Sequence, residues 1–377
     1  MSRGRCTRWH HRDDELTARF DYISGVTGMT NKAIRIGFVG AGENSRKVHI
    51  PKFQAIEGVE VVSVANRSRS SGERVAAELG IPNVYEDWQT LVASPDTDAI
   101  AIGTWPYLHC AITLAALEAG KHVLTEARMA MDEAEARQMF AAAQKRPDLT
   151  CMVVPSPGTL GVDEAIEAKI REGYLGEILS IQVDGSLSNF AEFGGNLAWR
   201  HRRDLSGLNA MSMGIWYESV LRWVGAATRV MARSRTVVDR RIDPASGKET
   251  ETTVPDHIEI IADMANGAIG RFTFSNVTGL APAPQCWLYG TEGTLRYDHG
   301  SRTLFGGRRG DTALEPIEIP AAQQRSWRVE EEFIGAMRGL EPVRRTSFAD
   351  GVRYMEFTQA VSHSAATGKA VELVGTL

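Results

Sequence analysis

A chain of 377 residues, 43% hydrophobic and 24% charged, is long enough to bury two cores. Its 42 Lys and Arg against 47 Asp and Glu leave a net charge of −5, which excludes the basic footprint of a nucleic-acid binder. No apolar run reaches the length of a membrane span, and no signal-like stretch opens the chain, so the expected location is cytoplasmic.

The four cysteines, Cys6, Cys110, Cys151 and Cys286, include no C-x-x-C pair, and neither a metal site nor a disulfide framework is expected. Residues 1–31, rich in Arg and His and with a second methionine at Met29, read as an extension outside the fold. The alternatives are a later start site and an arm that packs on a partner subunit.

Residues 32–155 read as a Rossmann domain, an α/β fold with a doubly wound parallel sheet. Strands are expected over Ile34–Val39, Val59–Ala65, Ala99–Gly103, His122–Thr125 and Thr150–Val154. Between them lie helices over Gly72–Leu79, Trp88–Val92, Cys110–Ala119 and Asp132–Ala143. Residues 156–377 read as an α+β domain with an open, mostly antiparallel sheet. Its strands are expected over Ile178–Asp184, Ala227–Val238, Ile258–Met264, Ile269–Val277, Gln285–Tyr289 and Thr294–Tyr297, with hairpin signatures at Asn266-Gly267 and Glu292-Gly293. Helices are expected over Val162–Arg171, Leu208–Val224, Val329–Met337 and Asp350–Thr367.

The first strand runs into Gly40-Ala-Gly-Glu-Asn-Ser45 and then a helix. Gly40 permits a tight turn, Gly42 lets the backbone approach a pyrophosphate, and Ser45 is small enough for close helix–strand packing. Glu43 and Asn44 complete the candidate cofactor-binding turn. The second strand ends in Asn66-Arg-Ser-Arg69 with no carboxylate for the ribose hydroxyls, so Asn66, Arg67 and Arg69 favour the 2′-phosphate of NADP, with NAD still possible. The alternative is an exposed basic loop.

In order along the chain, several further segments resemble the Gfo/Idh/MocA oxidoreductases. They are Gly103-Thr-Trp-Pro-Tyr-Leu-His109, Ala115-Ala-Leu-Glu-Ala-Gly-Lys-His-Val-Leu-Thr-Glu126, Trp199-Arg200, Ser347-Phe-Ala-Asp-Gly351 and Gly368-Lys-Ala-Val-Glu-Leu373. The resemblance implies that Thr104, Trp105, His109, Glu126, Trp199 and Arg200 lie along the cofactor toward the nicotinamide. It also exposes a departure. Where the family carries Glu-Lys-Pro, this chain has Glu126-Ala-Arg128, and the family's Asp and His positions hold Ser212 and Trp216.

Three residues are candidates to replace the lost groups. Arg128 can clamp an anionic substrate group or an oxyanion, Tyr217 can exchange a proton if cations lower its pKa, and His201 can shuttle one. Glu218 is expected to face the core or pair with an arginine. The resulting expectation is an NAD(P)-dependent oxidoreductase with a non-standard site. It would act on a small polyhydroxylated or cyclic, possibly anionic, substrate and assemble as a homo-oligomer through the open sheet. The alternatives are a cofactor-recycling lyase or glycoside-cleaving enzyme, and a non-catalytic dinucleotide-binding regulatory protein.

Overall fold

The computed structural model describes residues 33–375; the expected extension over 1–31, with Cys6, lies outside the described residues. Short apolar runs form six parallel strands: β1 (Ile34–Val39), β2 (Val59–Ala65), β3 (Asn83–Tyr85), β4 (Ala99–Ile102), β5 (His122–Thr125) and β6 (Cys151–Val153). Their order is 3-2-1-4-5-6, and β4 is buried along its whole length, as a strand covered on both faces must be. The order reverses between β1 and β4, which puts the ligand crevice at the carboxyl ends of these strands.

The connecting helices are α1 (Ile50–Gln54), α2 (Arg69–Leu79), α3 (Trp88–Ala93), α4 (His109–Glu118) and α5 (Glu133–Gln144). Ser68, Asp87 and Asp132 cap α2, α3 and α5 through their side chains. The Ser68 cap starts α2 three residues ahead of the expected Gly72.

The second sheet contains β7 (Ile178–Asp184), β8 (Ala227–Arg235), β11 (His257–Met264), β12 (Ile269–Ser275), β13 (Gln285–Gly290), β14 (Gly293–Asp298), β15 (Thr303–Arg308), β16 (Glu315–Pro316) and β17 (Val371–Glu372). A separate ribbon pairs β9 (Arg240–Ile242) with β10 (Glu249–Glu251). The large sheet runs 16-15-14-13-7-12-11-8-17, and all its pairs are antiparallel except β7 with β12. It is open and mostly antiparallel.

Alternation along β11 turns Ile258, Ile260, Ala262 and Met264 inward. That inner face is covered by α8 (Met213–Val224) and α10 (Phe348–Thr367), and α6 (Asp163–Arg171), α7 (Arg203–Ser206) and α9 (Val329–Met337) complete the helices. Tyr217 stacks on Phe357 at 3.6 Å between ring centroids, with Phe272 edge-on to both. The helix expected from Leu208 begins instead at Met213, because Gly207 (φ 65°) and Met211 (φ 47°) hold the preceding segment out of helical conformation. The outer face of the sheet leaves Met231, Ile261 and Ile269 51%, 59% and 58% exposed. Among the described residues no helix is long and apolar enough to cross a membrane.

Candidate active site

The glycine turn closes over the ends of β1 and β4. Gly40 has φ +83°, and a β-carbon there would lie 2.7 Å from the Thr104 amide nitrogen. One at Gly103 would lie 2.2 Å from the Ser45 hydroxyl, so Ser45 does provide the close packing a small residue allows. At Gly42 a β-carbon would meet nothing within 4 Å, which leaves that stretch of backbone open to a ligand.

The Ala41 N–H donates to Asn66 Oδ1 at 2.7 Å, and Asn66 Nδ2 donates to the Ser71 hydroxyl at 3.2 Å. Asn66 therefore fixes the turn rather than reaching outward. The adjoining cleft holds about 450 Å³ and is lined by the turn, Arg67, Arg74, Thr104 and Trp105. Among the described residues, the Thr104 hydroxyl is buried there without a partner. An open glycine backbone and an orphaned hydroxyl beside it fit a dinucleotide.

Two candidates in this region are otherwise engaged. Arg69 is paired with Glu73 at 2.8 Å and Glu86 at 2.7 Å, both exposed, so a 2′-phosphate would have to compete with these weak surface pairs for its guanidinium. Glu43 is exposed and paired with Lys47 at 2.6 Å, one helical turn away in solvent.

At the end of β5, Glu126 Oε1 accepts from Asn44 Nδ2 at 2.6 Å and lies 3.0 Å from His49 Nε2. The other ring nitrogen of His49 lies 2.5 Å from Glu330, which also accepts from the Trp327 indole. Burial opposes charge on His49, but the two carboxylates outweigh it and hold its pKa up at about 9. Burial likewise pushes the Glu126 carboxyl upward, and the His49 and Asn44 bonds bring it below its ordinary value.

This buried chain joins the glycine turn, β5 and α9, and its members lie too far apart in sequence to be read from it. His109 is fully buried, with its ring nitrogens 3.0 Å from the Thr104 and Arg128 carbonyl oxygens. It pins the loops after β4 and β5 from beneath, and burial lowers its pKa. The Trp105 and Trp199 rings stack at 5.7 Å, Arg200 lies over Trp199 at 4.2 Å, and Arg67 over Trp105 at 5.8 Å. This stack carries the loop before α7 across the cleft.

The structure separates the three catalytic candidates. Tyr217 is 0% exposed; its phenol oxygen accepts from the Ala227 N–H at 2.9 Å, and burial pushes its pKa far up. It is a core residue, because one step along a helix from Trp216 is a turn of about 100° toward Phe357. His201 Nδ1 accepts from the Ala198 N–H at 3.0 Å, and burial followed by the Arg241 charge lowers its pKa. The lone pair that would take a proton is already engaged, so His201 braces its own turn.

Arg128 is 5% exposed and packs on α8, where a β-carbon at Gly214 would lie 3.2 Å from its Cδ. Burial and, next, the Arg200 charge push its pKa down to about 10. Glu218 does turn to the core and pair with Arg222 at 2.5 Å, and it also accepts from the Ser156 N–H at 3.1 Å and the Thr346 hydroxyl at 2.5 Å.

Residues 34–154 match the oxidoreductase family with an NAD-binding Rossmann fold, and residues 164–296 match the GFO/IDH/MocA C-terminal domain. Levoglucosan dehydrogenase of Pseudarthrobacter phenanthrenivorans is 25% identical over 285 residues, 71% of this chain and 72% of that protein. Trans-1,2-dihydrobenzene-1,2-diol dehydrogenase of Bos taurus is 30% identical over 247 residues, 64% of this chain and 68% of its own. A solved levoglucosan dehydrogenase complex with NADH and L-sorbose shares the fold with a TM-score of 0.80 at 22% identity, covering 90% of this chain and 98% of that one. The chain belongs to the Gfo/Idh/MocA family of oxidoreductases, and its first sheet is that family's NAD-binding Rossmann fold.

Proposed function

We propose that the protein transfers hydride between a nicotinamide dinucleotide and a CH–OH carbon of a small polyhydroxylated or cyclic substrate, without the usual Lys, Asp and His. The observation that best supports this is the intact cofactor end: a glycine turn open at Gly42, with Glu126 held by Asn44 and His49. Two relatives whose names denote dehydrogenases of levoglucosan and of a dihydrobenzene diol support a ring-bearing hydroxyl substrate.

When bound, the nicotinamide supplies the hydride donor or acceptor. Residues 32–155 hold the dinucleotide, with the turn amides on its diphosphate and Thr104 and Trp105 alongside. Glu126 Oε2, engaged among the described residues only by the Ala127 N–H at 3.3 Å, accepts from a ribose hydroxyl. Residues 156–377 contribute Trp199, Arg200 and the start of α8 to the substrate side.

NADP is favoured over NAD. Arg67 has no ion pair among the described residues and lines the cleft with Arg74, where β2 ends in Asn66 rather than a carboxylate. The acids nearby are occupied, Glu86 by Arg69 and Asp87 by the Thr90 N–H. The outer sheet face around Met231, Ile261 and Ile269 pairs copies into a homodimer or tetramer. A monomeric mass by light scattering would overturn that assignment.

With Tyr217 sealed in the core and His201 engaged, the substrate proton passes to water. A positioned acid or base typically contributes about 10²–10⁴-fold, so turnover is slow. Oxidation of a polyol panel, followed by NAD(P)H absorbance, is expected to accelerate steadily with pH. An inflection near neutrality would instead reveal a positioned base. Cofactor binding with no turnover on any polyol would favour a non-catalytic dinucleotide sensor, the reading that the three missing groups support.

A further inference from the structure

Two basic side chains among the described residues are buried to about the same degree, and they are treated differently. Lys121, 4% exposed, donates to the Ser94 and Thr97 carbonyl oxygens at 2.6 and 2.7 Å and to the Thr97 hydroxyl at 2.7 Å. Arg128, 5% exposed, makes no hydrogen bond or ion pair through its guanidinium among the described residues, and its Nε is shut away without a partner. Other arginines of the interior are answered by acid: Arg222 and Arg345 both pair with Asp163.

Glu126, two residues before Arg128, adds some favourable charge but makes no hydrogen bond or ion pair with it: Oε1 receives Asn44 and His49, and Oε2 receives the Ala127 N–H. Arg200, stacked on Trp199, adds charge of the same sign. A desolvated guanidinium facing another cation is strongly unfavourable unless something supplies the counter-charge. Lys121 shows that neutral oxygens can satisfy a buried cation, but beside the Arg200 charge an anion entering the cleft would answer Arg128 better than a neutral acceptor. The cofactor diphosphate belongs at the glycine turn after β1, whereas Arg128 stands after β5, against the first turn of α8. A planar fork of N–H donors takes a carboxylate or a phosphate in two parallel bonds; with the cofactor phosphates placed at the glycine turn, a carboxylate on the substrate is the anion that fits hydroxyl chemistry at this end.

We infer that the substrate is a hydroxy acid and that Arg128 binds its carboxylate, with Arg200 reinforcing the local positive potential. This rests on the oxidoreductase reading above and names the substrate class within it.

The experiment uses full-length protein loaded with NADH, whose binding is measured first by its own fluorescence. Failure to bind NADH or NADPH overturns the oxidoreductase reading and this inference together. With cofactor bound, thermal melting and tryptophan fluorescence follow two probe pairs that differ by one carboxylate: glycolate against ethylene glycol, and D-glucuronate against D-glucose. At least one acid is expected to bind about tenfold more tightly than its neutral counterpart. That advantage should vanish in Arg128→Gln and survive in part in Arg128→Lys.

No preference for either acid, or a preference that persists in Arg128→Gln, overturns the inference and leaves the oxidoreductase reading standing. Inorganic phosphate binding as well as the acids overturns the choice of carboxylate. Arg128→Met, tested without ligand, is expected to raise Tm, since it removes an unpaired buried charge at similar length. A fall in Tm would show that Arg128 is a structural residue and overturn the inference independently of the probes chosen.

Discussion

The two ends of the cleft are built differently. Around the glycine turn, Asn66 holds the Ala41 N–H, and Asn44, Glu126, His49 and Glu330 form a continuous run of satisfied polar contacts. Around the first turn of α8, Ser212 and Trp216, like Ala127 on the loop after β5, carry no group that ionises near neutrality, and the Arg128 Nε has no partner among the described residues. The diphosphate site is made largely of backbone amides and glycine geometry, so it survives changes in the side chains across the cleft. Chemistry at the other end depends on particular side chains, which can be exchanged without disturbing the glycine turn.

The largest effect should come from breaking the polar run at its centre. His49→Ala leaves Glu330 buried with only the Trp327 indole donor, and is expected to cost about 3–5 kcal/mol in urea unfolding. The same residue sets an alkaline limit. Its folded pKa of about 9 lies above its ordinary 6.5, so its contribution is complete below pH 6.5 and is lost as pH rises through 9. The depressed Glu126 carboxyl has the opposite sign, with stability present above its ordinary 4.5 and lost on acidification. A Tm that does not decline between pH 7.5 and about 9.5 would contradict the His49 assignment.

Next in size, Gly40→Ala drives a β-carbon to 2.7 Å from the Thr104 amide at φ +83° and should weaken NADH binding about 100-fold, roughly 2.7 kcal/mol by fluorescence titration. Tyr217→Phe tests the boundary between core and site. It removes the acceptor of the Ala227 N–H and should lower stability by about 1–3 kcal/mol while leaving turnover unchanged, and a large loss of activity would return Tyr217 to the chemistry. Smallest is Arg67→Ala, expected to weaken NADPH by about tenfold and NADH hardly at all. Equal weakening of both would remove the basis for NADP preference.

How much was legible depends on how local each feature is. Strands β1, β2, β5 and β7 can be read as apolar runs ending at glycine or polar residues, and the Glu218–Arg222 pair lies one helical turn apart. The three-residue β3 and the exposed β9–β10 ribbon carry no periodic signal, and their strand character comes from the neighbour they pair with. Tyr217 misled because adjacency along a helix is not adjacency in space.

By itself, the order of residues determined the alternation of strands and helices, the glycine turn, the absent carboxylate after β2 and the identities of Ala127, Ser212 and Trp216. All of these follow from local backbone preferences or from side-chain identity. Only the tertiary structure decided that Glu330 reaches His49 from 281 residues away, that Arg69 meets Glu86, and that the Arg128 Nε is buried without a partner among the described residues. Those outcomes depend on which surfaces exclude water together, and that is settled by packing between distant segments rather than by any short stretch of chain.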